Sequence, residues 1–214
     1  MQSVILLIGA LSLSSMAQAA PDPVSPPADM ARVPCELHVW PAPGLESVTE
    51  GWIRNQTRNE ALREGNGDIA DTLAPQAQLD MLAALDLPAR LDLGPVRVVT
   101  HSEPLPASAP GSAVVRHAPS TAACYAELVV RRLVYGRNAL AGGALQGFFT
   151  YREFGASDTP SYSFTSMSEV SLREFLTKNQ NELGNARAEL RKAFEDDANL
   201  FFQYSQRSKL KQKK

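Results

Sequence analysis

Residues 121–136 read TAACYAELVVRRLVYG. From Tyr125 to Tyr135 the run is rich in β-branched and aromatic residues, with Val129-Val130 at its centre, and it ends on Gly136-Arg137-Asn138, a turn composition. It therefore reads as a strand. Gly142-Gly143 follows, and then Ala144 to Phe154 forms an answering apolar run. Together they predict an antiparallel β-hairpin with a longish connection. A third strand over about 162–167 extends it, and residues 169–178 are open between strand and short helix.

Working outward, Leu183, Ala186, Leu190, Ala193, Phe194, Leu200, Phe201 and Tyr204 recur at helical steps. This predicts a long C-terminal amphipathic helix, with Asn179 or Asn181 available as its cap. On the N-terminal side, Cys35-Glu36-Leu37-His38-Val39-Trp40 alternates with a period of two and is stopped by Pro41-Ala42-Pro43-Gly44. Residues 45–75 are polar and weakly patterned, with Trp52 and Ile53 as anchors. A helix is predicted over 75–87, ended before Pro88, and a strand over Val96–Thr100. The expected fold is α+β: a mainly antiparallel sheet carrying the long C-terminal helix and a second, shorter helix packed on it.

The chain is 214 residues long. With 44% apolar and 21% charged residues, disorder as the dominant state is excluded. The first segment has an apolar run, Val4–Leu13, and then Ala17-Gln18-Ala19, the pattern of a secretory signal peptide. No Lys or Arg precedes that run, which departs from the pattern. The expected organisation is a signal peptide at 1–19, a Pro-rich leader at 20–34, one α+β domain at 35–206 and a basic tail at 207–214. The address is periplasmic or secreted. No cysteine adjoins the expected cleavage point, so a lipid anchor there is not expected.

The two cysteines, Cys35 and Cys124, are 89 positions apart and each opens a predicted strand. In an exported chain they read as one disulfide, and the other reading is two buried thiols. If their strands are parallel neighbours, both starts fall at one sheet edge, within reach of a bond. The tail holds Arg207, Lys209, Lys211, Lys213 and Lys214; removing those five charges from a net −2 leaves −7 on the rest. An acidic body argues against nucleic acid as a partner. The tail is either a solvated terminus or a contact for an anionic membrane surface.

No sharp catalytic or phosphate-binding motif occurs, and no cofactor is expected. His38 and His101 fall on or beside two predicted strands and, with Glu36, are the candidate metal ligands or bases. The other reading is ordinary strand-edge histidines. Glu127 and Arg131 share a face at i and i+4 of a regular strand, as would Tyr135, and with Arg97 they are a candidate polar face, for binding or merely solvated. The aromatic set Phe148, Phe149, Tyr151, Phe154, Tyr162 and Phe164 either lines a groove or forms core.

The runs YAELVVRRLVYG, ALQGFFTYREFG and ARAELRKAFEDDANLFFQ resemble, in element order over about 120–205, the later half of periplasmic modules of the curli secretion lipoprotein and penicillin-binding-protein activator lipoprotein type. CELHVW with CYAELVV also resembles uncharacterised exported proteins of proteobacteria. The resemblance implies an envelope accessory protein without catalysis and transfers no site residue. The expected function is therefore an exported non-enzymatic protein that binds a protein or envelope component. The alternative is a small hydrolase or metal-dependent enzyme using His38, His101 and Glu36.

Overall fold

The computed structural model describes residues 35–49, 69, 71–106, 115–138, 142–155, 157–173 and 183–212. Six strands are present: β1 (Cys35–Trp40), β2 (Leu45–Thr49), β3 (Val96–Thr100), β4 (Tyr125–Asn138), β5 (Gly142–Gly155) and β6 (Tyr162–Leu172). The helices are α1 (Pro75–Ala83), α2 (Leu87–Arg90) and α3 (Leu183–Gln212), with a 3-10 turn at Asp71–Leu73. The sheet order is β3-β1-β4-β5-β6, and β2 lies along β4 where β1 leaves off.

The fold is α+β, as expected, but the sheet is mixed rather than mainly antiparallel. β4–β5–β6 is antiparallel, whereas β1 pairs parallel with both β3 and β4, and β2 also pairs parallel with β4. The physical reason lies in the connections. A tight turn allows only antiparallel neighbours, whereas the long passages after β2 and β3 are crossovers that return the chain in the same direction. α1 and α2 lie in the first of them.

Both cysteines then fall at one sheet edge and form the disulfide Cys35–Cys124, with Cα atoms 4.6 Å apart. The adjacent Glu36 N–H donates to the Cys124 carbonyl at 3.0 Å. Closing an 89-residue separation is worth about 4–5 kcal/mol in the chain-entropy picture.

The hairpin extends to 138 and back from 142, so Gly136–Asn138 is strand rather than turn. β6 continues through 169–172, which decides that part of the open segment as strand; 174–178 and the capping Asn179 and Asn181 lie outside the described residues, as do Trp52 and Ile53. The helix expected over 75–87 stops at Ala83. The chain turns through Asp86 at φ 47° and α2 starts anew with Pro88 in its first turn, where its missing N–H costs nothing.

One face of the sheet carries the core. Leu37, Val39, Ala126, Leu128, Val130, Leu133, Tyr135, Leu145, Phe149 and Tyr151 are buried there. α3 covers β5 and β6 through Ala186, Leu190, Ala193, Phe194, Ala198 and Phe201, and the Phe201 ring stacks on Phe149 at 5.1 Å. α3 continues through Arg207 and Lys209. Lys209 pairs with Glu153, donates to the Leu91 carbonyl at 2.9 Å and lies over the Tyr151 ring. Among the described residues no helix is long and apolar enough to cross a membrane.

Candidate functional site

The second face of the sheet is buried as well, and its burial is polar. On β1, Glu36, His38 and Trp40 alternate with the core residues and are 5%, 5% and 4% exposed. The parallel registers place Arg97 beside Glu36 on one side and Tyr125 and Glu127 beside Glu36 and His38 on the other. β5 adds Arg152 opposite Glu127. The segment 115–122 lies over this layer. Arg116 stacks on Tyr125 at 4.9 Å and donates to the Ser157 carbonyl at 2.9 Å.

Two carboxylates organise the layer. Glu36 accepts from Arg97, from the Ser120 hydroxyl at 2.5 Å and from His38 Nε2 at 3.1 Å. These bonds, Ser120 first and Arg97 and His38 after it, hold its carboxyl down to about 2. Glu127 is fully buried and accepts from Arg152, from the Tyr125 hydroxyl at 2.8 Å and from the His117 N–H at 2.6 Å. Burial, and then the Glu127 charge, raises the Tyr125 hydroxyl well above the usual tyrosine range.

His38 Nδ1 meets His101 Nε2 at 2.9 Å. The His38 Nε2–H donates to the Glu36 carboxylate, so in the neutral tautomer that this bond selects Nδ1 accepts and His101 donates its Nε2–H. The relay Glu36–His38–His101 therefore ends on the Nδ1 lone pair of His101. Trp40 stacks on His101 at 4.1 Å with an interplanar angle of 3°. His38 and His117 lie 5.8 Å from the same indole, so all three histidines of the chain gather around Trp40. Burial lowers the basicity of His101 and of His117, and the neighbouring His38 adds to the effect at His101.

The structure thus brings His38, His101, Glu36 and Arg97 into one hydrogen-bonded cluster, with Glu127 in the same layer. Glu127 is bonded to Arg152. Arg131 is half-buried in a β-bulge between Val130 and Arg132, and that bulge turns Tyr135 onto the core face. Of the aromatic set, Phe149, Tyr151 and Tyr162 are core, Phe164 packs on Phe201, and Phe154 packs edge-on against Tyr125 on the second face. Phe148 lines a cleft.

Sequence reasoning missed Ser120, His117 and Arg152. The first two sit in a Pro-containing segment without periodicity. Arg152 carried a signal: a buried carboxylate at 127 requires a cation on a neighbouring strand.

Chemically, both nitrogens of His38 are engaged, which leaves His101 Nδ1 as the one open ring nitrogen of the pair. Among the described residues no group of three His, Cys, Asp or Glu is placed to hold a metal ion. The Ser120 hydroxyl is given to a carboxylate, and both cysteines are in the disulfide. Neither activates a nucleophile against an imidazole.

No family model matches the chain, and neither does any curated protein. Solved structures with a similar course include protein XCC0632 from Xanthomonas campestris, of the family DUF330, at 12% identity, with 84% of this chain and 88% of that chain covered and a TM-score of 0.42. The hypothetical protein CT253 from Chlamydia trachomatis matches at 12% identity, over 79% of this chain and 96% of that one, with a TM-score of 0.34. Likeness at this level assigns neither function nor site residues.

Proposed function

We propose that this chain is an exported, disulfide-bonded, non-catalytic binding module of the cell envelope, carried out of the cytoplasm by segment 1–19 and acting on a protein or other envelope component. The observation that carries the reading is that both buried carboxylates of the polar layer are fully engaged in holding the fold. Glu36 and Glu127 each hold three partners, and the two histidines spend their facing nitrogens on each other. Buried carboxylates bonded in this way fix strand and loop positions. The resemblance to periplasmic accessory modules and the Cys35–Cys124 bond support the extracytoplasmic address.

A second reading, a small hydrolase with His101 as base, draws on the same convergence. Two measurements separate the readings. Thiol trapping of the full chain in cells should find Cys35 and Cys124 oxidised and the protein outside the cytoplasm; reduced cytoplasmic protein ends the export reading. A panel of ester, amide and phosphoester substrates should show no turnover above that of His101→Ala. Turnover lost in that variant, with its fold retained by circular dichroism, would establish the hydrolase instead.

A further inference from the structure

The two edges of the sheet are unlike. β3, at one edge, is five residues long, follows Pro95 and carries Arg97. Short strands flanked by proline and bearing charge are how sheets blunt an edge. β6, at the other edge, is eleven residues long and pairs in unbroken register with β5, from Glu153↔Tyr162 to Gly143↔Leu172. It holds no proline, lysine, arginine or bulge. Its one charge, Glu169, is turned back to Gln146 of β5 at 2.7 Å. Among the described residues no strand pairs with its far side. That side presents main-chain N–H and C=O groups without the usual guards against another strand.

The strand that fits this edge is β6 itself. Laid antiparallel on its own copy about Met167, YSFTSMSEVSL matches kind with kind. On the α3 face Tyr162 falls opposite Leu172, Phe164 opposite Val170 and Ser166 opposite Ser168. Phe164 and Val170 are only partly buried in the single chain and would close on each other. On the other face Met167, 48% exposed, meets its own copy, and Glu169 meets Thr165. An axis at Glu169 would set two carboxylates together, and one at Ser166 would set Phe164 against Ser168, so the register is specific. The Ser166 hydroxyl supplies a separate indication. It is buried and has no hydrogen-bond partner among the described residues. The Ser168 hydroxyl donates to the Asp197 carbonyl and keeps its lone pairs, so Ser166 of the second copy can donate to it.

The helix layer agrees. On α3, Gln206 and Lys209 bond to the Arg90 and Leu91 carbonyls beside α2. By helical spacing the opposite flank carries Glu189, which accepts the Arg173 N–H just beyond β6, and with it Leu200, partly buried, and Tyr204, 39% exposed. With strands about 4.8 Å apart, the α3 helices of two copies joined at β6, each over its own β5 and β6, run antiparallel about 10 Å apart, the spacing at which helices pack. We infer that β6 pairs antiparallel with β6 of a second copy about a two-fold axis at Met167, joining two sheets into one and laying Leu200 and Tyr204 along the second α3.

The test is sedimentation equilibrium of the purified full chain without reductant, which should give twice the chain mass. Met167→Lys, at an exposed position, sets two ammonium groups face to face and should weaken the dimer about tenfold or more with circular dichroism unchanged. Cross-linking in air with a copper–phenanthroline catalyst reads the register. Met167→Cys should give a disulfide-linked dimer, whereas Ser171→Cys, about 27 Å from its own copy in this register, should not. A chain that stays monomeric up to millimolar protein would leave the edge to solvent or to a strand of another protein and overturn the inference. So would a dimer indifferent to Met167→Lys, or Ser171→Cys linking as readily as Met167→Cys. The Cys35–Cys124 bond and the histidines lie across the sheet from β6, so these outcomes neither use nor decide the export reading, which thiol trapping tests on its own.

Discussion

Replacing Asp197 by asparagine should stabilise the protein at neutral pH. Asp197 lies on the inner side of α3, fully buried against Gly147 of β5 and Ser168 of β6. Neither carboxylate oxygen has a hydrogen-bond partner, and the Ser168 hydroxyl donates instead to the Asp197 main-chain carbonyl at 3.1 Å. The charged group among its influences, Glu169, has the same sign. Burial therefore pushes its carboxyl up to about 6 from the ordinary 3.8, and the nearby Ser168 hydroxyl and Gly147 N–H, too poorly placed for full hydrogen bonds, offset only part of it. The folded chain holds this proton more tightly than the unfolded chain does. The native contribution is intact below pH 3.8 and is lost as pH rises to about 6. At about 1.36 kcal/mol per pH unit, the loss is about 3 kcal/mol. Asparagine has nearly the same shape and no charge, so it escapes this cost, less about 1 kcal/mol for an imperfectly bonded amide. Urea unfolding of both proteins without reductant, from pH 3.5 to 8, gives the difference curve, in which all other titrating groups cancel. The variant should match or fall slightly below the wild type at pH 3.5 and exceed it by about 2–3 kcal/mol above pH 7. A flat difference curve, or a variant less stable at pH 8, would refute the reasoning.

Three further outcomes follow from the packing. In Gly147→Ala the new β-carbon collides with the Asp197 carboxylate and the Phe149 ring, so unfolding should be easier by about 1–3 kcal/mol, and adding Asp197→Ala should restore part of it; a double-mutant cycle with no coupling would show that the carboxylate is not the obstacle. Glu127→Gln removes the negative charge that faces Arg152, which is 1% exposed, and should cost about 3–5 kcal/mol, whereas Arg97→Gln, with the arginine side chain 61% exposed, should cost less than about 1 kcal/mol; similar losses would contradict the contrast between buried and exposed pairs. For His101 and His117, whose folded basicity is lowered, the unfolded chain takes up protons first, so stability should fall as pH drops below about 6.5, and His101→Gln with His117→Gln should flatten that slope in denaturant titrations.

Local periodicity made the hairpin and the C-terminal helix readable, since each buries one face at its own repeat. Strand direction was not readable in that way. CELHVW has the same alternation whether its neighbours are parallel or antiparallel, and only the crossover lengths distinguish the two. β2 was lost because LESVT is short and Pro41-Ala42-Pro43-Gly44 looks like an ending; it is an interruption, held by the distant Gln78. Glu36, His38 and His101 were legible as neighbours because alternation put Glu36 and His38 on one face. His101 follows β3, where its N–H donates to the Val39 carbonyl at 2.9 Å. Ser120 and His117 act through a loop whose course is set by what it covers, and no spacing in the sequence encodes that.

The least legible feature governs the most. In β4 the core residues are Ala126, Leu128 and Val130, then Leu133 and Tyr135. The phase slips by one residue between Val130 and Leu133, while β5 keeps a single phase through Leu145, Phe149 and Tyr151. The slip was hidden because Val129 and Val134 are also buried, on the second face, so apolar character alone could not report it. An extra residue, Arg131, absorbs it. Were Arg131 paired in a regular ladder instead of bulged out, the Arg132↔Phe148 register would set Glu127 opposite Glu153, two like charges. Because it is bulged out, Glu127 faces Arg152. Bulging Arg131 out of the ladder thus keeps both halves of the β4 core on one face and keeps the buried Glu127 opposite Arg152. This is why TAACYAELVVRRLVYG decides the fold: the strand holds one residue more than its partner and still sets Glu127 against Arg152.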